Sequence, residues 1–420
     1  MGYVASFRAE AYNEVYSQGI WYSVVSSASE THPGKVITRE GDYSNQYQGN
    51  NVSGDIVIPE YIRDDYGIYE YQVVGIGSKS FGGCSGLTSI SLPNSITYIG
   101  ESAFFECGLL EINIPESVTD IHKSAFERCT NLSQVKMPQH LTSISERLFE
   151  ECSSLRNIEI PESVTSIGVY AFSQSGLESI VIPNSVNTIA YNAFANCQNL
   201  LTVKLPESIT QISFDLFKQC TKLQKIEIPS SVEVIRSESF NGCVSLSEVK
   251  IPNTVWKIEH GAFCGCSTLE HIDIPESVTN IEWSAFGNSG LRSIVIPSNI
   301  NFIGDNAFYN DNLMDVTYLT DDPIAPNDAK DIFSAATYRY GTLHYLEGYK
   351  EVYQSRYPWS YFKNFDVVTS VENIELDDSR EKLPDVYNLT GTCLIHNASE
   401  SDIDTLPHGI YIIGGRKVQK

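Results

Sequence analysis

The sequence is short of positive charge. Its 420 residues carry 28 Lys and Arg against 52 Asp and Glu, a formal net charge of −24. Phosphate backbones and anionic membrane surfaces both need a basic footprint, so no nucleic-acid partner is expected. Apolar runs of spanning length are also missing, and no integral membrane segment is expected. No glycine-rich phosphate cradle is present, because Gly75-Ile-Gly77 is an isolated pair inside a recurring pattern. The opening Met1-Gly2-Tyr3-Val4 has no basic region, apolar stretch or cleavage site, so no signal peptide is visible.

What the chain has in quantity is self-similarity. Phe recurs at Phe81, Phe104, Phe126, Phe149, Phe172, Phe194, Phe217, Phe240, Phe263, Phe286 and Phe308, in steps of 22 or 23 residues. Pro follows the same two steps from Pro93 to Pro297. A fixed period in this range is the signature of a solenoid. The unit reads Leu-x-x-Ile-x-Ile-Pro-x-x-Val-x-x-Ile-x-x-x-Ala-Phe-x-x-Cys, as in Leu132, Val135, Met137, Pro138, Leu141, Ile144, Leu148, Phe149 and Cys152. The alternation before Pro has period two, a strand with one buried face, and Pro ends it because it lacks the ladder donor. The second aliphatic pair makes another short extended segment, and Ala-Phe turns the chain back. One unit cannot bury its own apolar stripe, so stability is expected to be collective across stacked neighbours.

The expected fold is mainly β: a solenoid of about 10–11 repeats of 22–23 residues with short parallel strands, capped at both ends. Residues 1–75 form the N-terminal β-rich cap, with Ala9 to Val15 read as a short helix and Gly19–Ser26 and Lys35–Arg39 as strands. The repeats occupy 76–318. A C-terminal α/β cap follows at 319–370, with a strand over 341–346 and a helix from Glu347 to Ser355. An acidic linker, 371–383, leads to a small β module at 384–420. Three shortened units, Cys107-Gly-Leu109, Ser175-Gly-Leu177 and Ser289-Gly-Leu291, place Gly at a tightened corner.

The Leu-x-x-Ile-x-Ile-Pro and Ala-Phe-x-x-Cys motifs resemble those of the BspA-like leucine-rich-repeat proteins over about 235 residues. Trp359 and Phe362 resemble the Trp-x-x-Phe of that family's closing cap. The resemblance implies a surface or secreted protein of anaerobic bacteria, adhesin-like in some relatives, and not an enzyme. Val386-Tyr-Asn-Leu-Thr-Gly391 and Gly409-Ile-Tyr-Ile412 resemble the small C-terminal module that serves as a sorting signal in exported relatives. The expectation is therefore a secreted, cell-surface or outer-membrane protein, met here without its leader.

Candidate chemistry is sparse. Eight of the ten cysteines share one repeat position: 84, 107, 129, 152, 197, 220, 243 and 266. They read either as disulfides between adjacent rungs or, with Ser175 and Ser289 in equivalent places, as small buried corner residues. His260, Cys264, Cys266 and His271 have zinc-ligand chemistry, but their phases in the repeat point them apart. Asp321, Asp322, Asp328 and Asp331 match no calcium-loop spacing. The Pro-Glu-Ser turns at 115, 161, 206 and 275 are a repeated feature, not a catalytic carboxylate pair. No catalytic residue, metal or cofactor is expected.

What varies from unit to unit is the outward side of the strand before Pro. Its candidate binding residues are Gln134, Lys136, Asn157, Glu159, Thr202, Lys204, Lys225, Glu227, Glu248, Lys250, His271 and Asp273. Extended faces of solenoids are used for binding, and a solvated sheet face has the same appearance. The favoured function is a non-enzymatic, adhesin-like binding protein for a protein or glycan, with host matrix proteins implied by the resemblance. The alternative is a scaffold of the bacterial cell envelope without a dedicated ligand.

Overall fold

The computed structural model describes residues 14–29, 32–40, 52–64, 66–324 and 331–368, with the backbone of four short strands between 386 and 419. The chain divides into two compact units, Met1–Ile209 with Ser213–Leu223, and Thr210–Ile212 with Gln224–Lys420.

The first unit begins with an antiparallel hairpin, Glu14–Ser17 against Ile20–Ser26. Residues 14 and 15 therefore belong to a strand and not to the end of the expected helix. The turn decides this: Gln18 and Gly19 both have positive φ, 51° and 82°, the geometry that matches the twist of two tightly joined strands. Gly34–Thr38 pairs antiparallel with this hairpin and parallel with Glu70–Ile76. Glu70–Ile76 then leads, always in parallel, to Tyr98–Ile99 and Asp120–Ile121. The buried Thr38 hydroxyl accepts from the Gly77 N–H at 2.9 Å and meets Ser80 Oγ at 2.6 Å. The cap thus pairs the edge of this ladder of the first repeat.

Within the repeats the inward positions are filled as the pattern requires. Leu132, Met137, Leu141, Ile144, Leu148, Phe149 and Cys152 are all buried, and Val135 is half-buried. The seven rings from Phe81 to Phe217 stack face to face, with centroids 5.3 to 5.7 Å apart. Each such contact adds about 0.5–1.5 kcal/mol beyond the area it buries. Two residues per rung take the left-handed conformation, two before and two after the Phe: Ser124 and Arg128 around Phe126, Tyr170 and Gln174 around Phe172. They wrap the backbone around the ring.

Gly176 shows why a shortened corner needs glycine. A Cβ there would lie 2.1 Å from the Ser153 carbonyl oxygen, and one at Gly108 would lie 2.0 Å from that of Ser85. The requirement is close approach of two backbones, since neither φ is positive. Gly176→Ala is expected to cost about 3 kcal/mol, by forcing adjacent rungs apart in a packed array. Urea unfolding of the variant checks this, and an unchanged midpoint would refute it.

The second unit repeats the plan. Phe240, Phe263, Phe286, Phe308 and Phe333 stack at 5.2 to 5.8 Å. A five-stranded parallel sheet of two-residue strands runs from Gln211–Ile212 to Phe302–Ile303. At the C-terminal cap Ser293–Ile296, Asp315–Tyr318, Thr342–Leu346 and Asn364–Val368 pair in parallel. The expected helix from Glu347 begins only at Lys350 and runs to Ser355, because Gly348 has φ +86°. A further helix, Ala335–Tyr340, is capped by Ser334, whose Oγ accepts from the Thr337 N–H at 3.2 Å. Trp359 is fully buried and donates from Nε1 to the Ile324 carbonyl at 2.8 Å. Trp359 and Phe362 meet Phe333 edge-on and close the ring stack.

The linker 371–383 lies outside the described residues. Val386–Asn388, Cys393–Ile395, Ile410–Ile413 and Arg416–Gln419 form an antiparallel four-stranded sheet.

Candidate functional face

Alternation along the strand before each Pro separates scaffold from surface. In the first unit Glu111–Asn113 pairs with Gln134–Lys136, and Ser179–Val181 with Thr202–Lys204. The middle residues, Ile112, Val135, Ile180 and Val203, turn inward, and their flanks are exposed. Asn157 and Glu159 are exposed in the same alternation, yet residues 157–159 form no strand and their N–H groups donate to no backbone carbonyl. The ladder is interrupted at this rung. A groove of about 840 Å³ opens there, lined by Gln134, Gln139, Asn157, Glu159, Glu162 and Ser179 among others. A second groove of about 500 Å³ is lined by Asp55, Ser89, Glu111, Asn113 and Lys136, and both include Gln134 and Val135.

In the second unit Lys225–Glu227 pairs with Glu248–Lys250, while His271 and Asp273 are exposed outside any strand. Lys225 is in an ion pair with Glu248 on the next rung. His271 Nδ1 lies 3.3 Å from Ser293 Oγ. Lys136 and Lys204 in the first unit and Lys250 in the second make no ion pair among the described residues. On this face these three ammonium groups are available to an anionic partner without first breaking an ion pair among the described residues.

The outward face also continues where the sequence reading stopped. Register places Asp315 beside Thr342, and Thr317 beside His344 and Asp366. His344 is nearly buried there, with Nε2 3.0 Å from an Asp315 oxygen and Nδ1 3.1 Å from an Asp366 oxygen. The strand at 341–346 was legible, but the side of it that His344 takes depends on pairing with Asp315–Tyr318.

The remaining candidates resolve into scaffold. The nine cysteines among the described residues are free thiols, so the disulfide reading is set aside. Their packing supplies the reason. The carbonyl of Phe126 accepts both the N–H of Cys129 at 3.2 Å and the thiol of Cys152, one rung on, at 3.1 Å. Cys129 and Cys197 make the same contact to Phe104 and Phe172, each at 3.0 Å. A small, apolar side chain with one weak donor fits that corner. Burial pushes the Cys107 and Cys197 thiols up to about 12 and about 11. They are poor nucleophiles as a result.

His260 lies 4.0 Å from Glu238, Cys264 is half-buried and Cys266 is buried, so the zinc-like set is dispersed. Asp322 pairs with Arg356, and Asp328 lies outside the described residues. No cluster of three or more His, Cys, Asp or Glu suited to a metal occurs among the described residues. Two of the repeated turn glutamates brace the next rung: Glu116 accepts from the Gln139 N–H at 2.8 Å and Glu276 from the Ser298 N–H at 2.9 Å. The outward face is left, offering amides, hydroxyls and charges of both signs for multipoint polar contact.

No curated protein matches the sequence. Among solved structures the chain is similar to the pneumococcal vaccine antigen PcpA, at 18% identity over 85% of this chain and 98% of that one, with a TM-score of 0.53. It is also similar to a leucine rich cell surface protein of Faecalibacterium prausnitzii A2-165, at 24% identity over 73% and 94%, with a TM-score of 0.47. A third likeness is to a leucine-rich repeat protein of Bacteroides ovatus ATCC 8483, at 22% identity over 84% and 99%, with a TM-score of 0.41. Residues 74–201 and 187–314 match the family described as BspA type leucine rich repeat region, a span that includes all eleven repeat phenylalanines, from Phe81 to Phe308. By that match over more than half its length, the chain belongs to the BspA type leucine-rich-repeat family.

Proposed function

We propose that this is a non-enzymatic binding protein, exported to the cell surface or beyond, whose outward strand face engages a protein or glycan. One observation carries the reading: the side chains inside the repeat are held nearly constant by stacking, while those outside, from Gln134 and Lys136 to Thr202 and Lys204, change from rung to rung, and Gln134, Lys136, Asn157 and Glu159 border open grooves. Solenoids of this kind use such extended faces for recognition. Export rests on the family and on the resemblance of residues 384–420 to a sorting module.

The test is binding of the full chain to panels of purified extracellular-matrix proteins and immobilised glycans. A ligand of the first unit's face is expected to lose at least tenfold in affinity to the double variant Lys136→Glu, Lys204→Glu, with the melting temperature unchanged. The factor corresponds to about 1.4 kcal/mol. Neither lysine has an ion pair to lose, so folding should not register the change. Silence across both panels would favour the envelope-scaffold alternative.

A further inference from the structure

We propose that the C-terminal cap carries a separate site for an acidic saccharide, in the groove between Tyr309, Tyr338, Tyr361 and Arg339. This groove measures about 620 Å³ and is also lined by Asp331, Phe333 and Lys363. It lies wholly within the second unit and shares no residue with the grooves of the strand face.

Three observations converge on that ligand. The first is aromatic surface left in solvent: Tyr309 and Tyr361 are 43% and 48% exposed, whereas Phe333, Trp359 and Phe362 are buried. Tyr361 is held edge-on by Tyr338 and Tyr357, at centroid distances of 5.6 and 5.4 Å. Its exposed part is a fixed platform. A tyrosine ring with one wet edge suits a ligand that has an apolar face and polar rim, which a pyranose ring has.

The second observation is Arg339. Every other arginine among the described residues, from Arg39 to Arg356, has a carboxylate within ion-pair distance. Arg339 has none among the described residues. Its guanidinium instead lies 5.2 Å from the centre of the Tyr340 ring, over its face. A guanidinium stacked in this way keeps its donor fork free, and that fork matches a carboxylate in two parallel hydrogen bonds. Lys363, also at the groove, has no ion-pair partner among the described residues and adds a second cation.

The third is Asp331, an exposed carboxylate at the same groove with no side-chain partner among the described residues. It supplies the acceptor that sugar hydroxyls require. Apolar platform, free fork and acceptor are the few convergent polar groups in an aromatic pocket by which a small-ligand site is recognised. Together they fit a uronate or sialate residue: ring on Tyr361 and Tyr309, carboxylate on Arg339 and Lys363, hydroxyls on Asp331.

The experiment is calorimetric titration of the full chain with glucuronate-containing tetrasaccharides and with sialyllactose, using cellotetraose and lactose as neutral counterparts. Saturable binding of an acidic probe is expected, at least tenfold tighter than its neutral counterpart. Arg339→Ala should remove most of that preference, and Tyr361→Ala should weaken the acidic probe at least tenfold. Arg339 makes no ion pair among the described residues, so its replacement tests the site without loosening the cap. The strand-face variant Lys136→Glu, Lys204→Glu should bind as the parent does, which separates this site from the proposed function. The proposal is overturned if no acidic probe binds, if neutral and acidic probes bind alike, or if binding survives both cap variants.

Discussion

Raising the pH from about 8 to about 10.5 is expected to unfold this protein, through thiols that no reagent reaches in the folded state. Burial holds Cys107 and Cys197 at about 12 and about 11 and pushes Cys84, Cys129, Cys152 and Cys266 upward as well. In the unfolded chain the same thiols ionise near pH 8.5. Between those values the unfolded state has released protons that the folded state keeps. Stability is therefore fully present below about pH 8.5 and falls as pH rises through the window toward the folded values. The loss approaches about 1.4 kcal/mol per pH unit for each thiol so held. Cys84, Cys107, Cys129 and Cys152 sit on consecutive rungs of the first unit, so their contributions act on adjoining interfaces. Burial also raises Tyr318 to about 12 and pushes Tyr22, Tyr338 and Tyr353 up, which extends the effect at the caps. Thermal melts under reducing conditions, with thiolate absorbance followed in parallel, give the measurement. A melting temperature flat across that range would mean the thiols are not buried as described.

The second large effect is expected at the ring stack. Phe149 lies between Phe126 at 5.7 Å and Phe172 at 5.6 Å and is fully buried. Phe149→Ala removes both contacts and leaves a cavity that rigid neighbours cannot fill, at a cost of about 3–5 kcal/mol. Phe149→Leu restores most of the volume but still loses both stacked contacts, and should cost about 1–3 kcal/mol, less than Ala. Because stability in a repeat array resides largely between neighbours, the damage should spread along the chain from residue 149. Limited proteolysis is expected to cut first near rungs 126 to 172, before the N-terminal cap opens. Equal losses for Ala and Leu, or first cuts elsewhere, would argue against a stack that transmits packing in this way.

How far the sequence reveals this arrangement depends on whether a feature belongs to one rung or to several. The inward set from Leu132 to Cys152 follows from period and hydropathy within a single unit, and all of it points inward except that Val135 is only half-buried. The outward flanks, such as Lys204, follow from the same alternation. The interruption at Asn157–Glu159 is different, since nothing in the alternation of that unit sets it apart from its neighbours. It shows only in the pairing between rungs, which no one unit encodes. The strand at Glu14–Ser17 was missed because its local composition tolerates a helix, and Gln18-Gly19 fixes the hairpin only through backbone geometry. The six-residue helix Ala335–Tyr340 is too short to show a period. It is held by Ser334 and Thr337 bonding to the Asn310 carbonyl, 24 and 27 residues back. The exposed tyrosines and Arg339 were visible as residues, but their convergence on one groove is a property of the folded cap.

The thiol-to-carbonyl contact of the cysteine corner has a consequence in time. A folded chain that keeps its thiols inside can pass from a reducing to an oxidising compartment without a change in covalent structure. An unfolded one presents a cysteine every 22 or 23 residues over long stretches, ready to form bridges that the finished stack cannot contain. The hazard is confined to the interval before folding. Nearly all the contacts that bury the thiols join residues one repeat apart, as Cys152 joins Phe126, so few long loops must close first. A short pitch in sequence thus becomes a race against oxidation, one that each rung can win with only its neighbour in place.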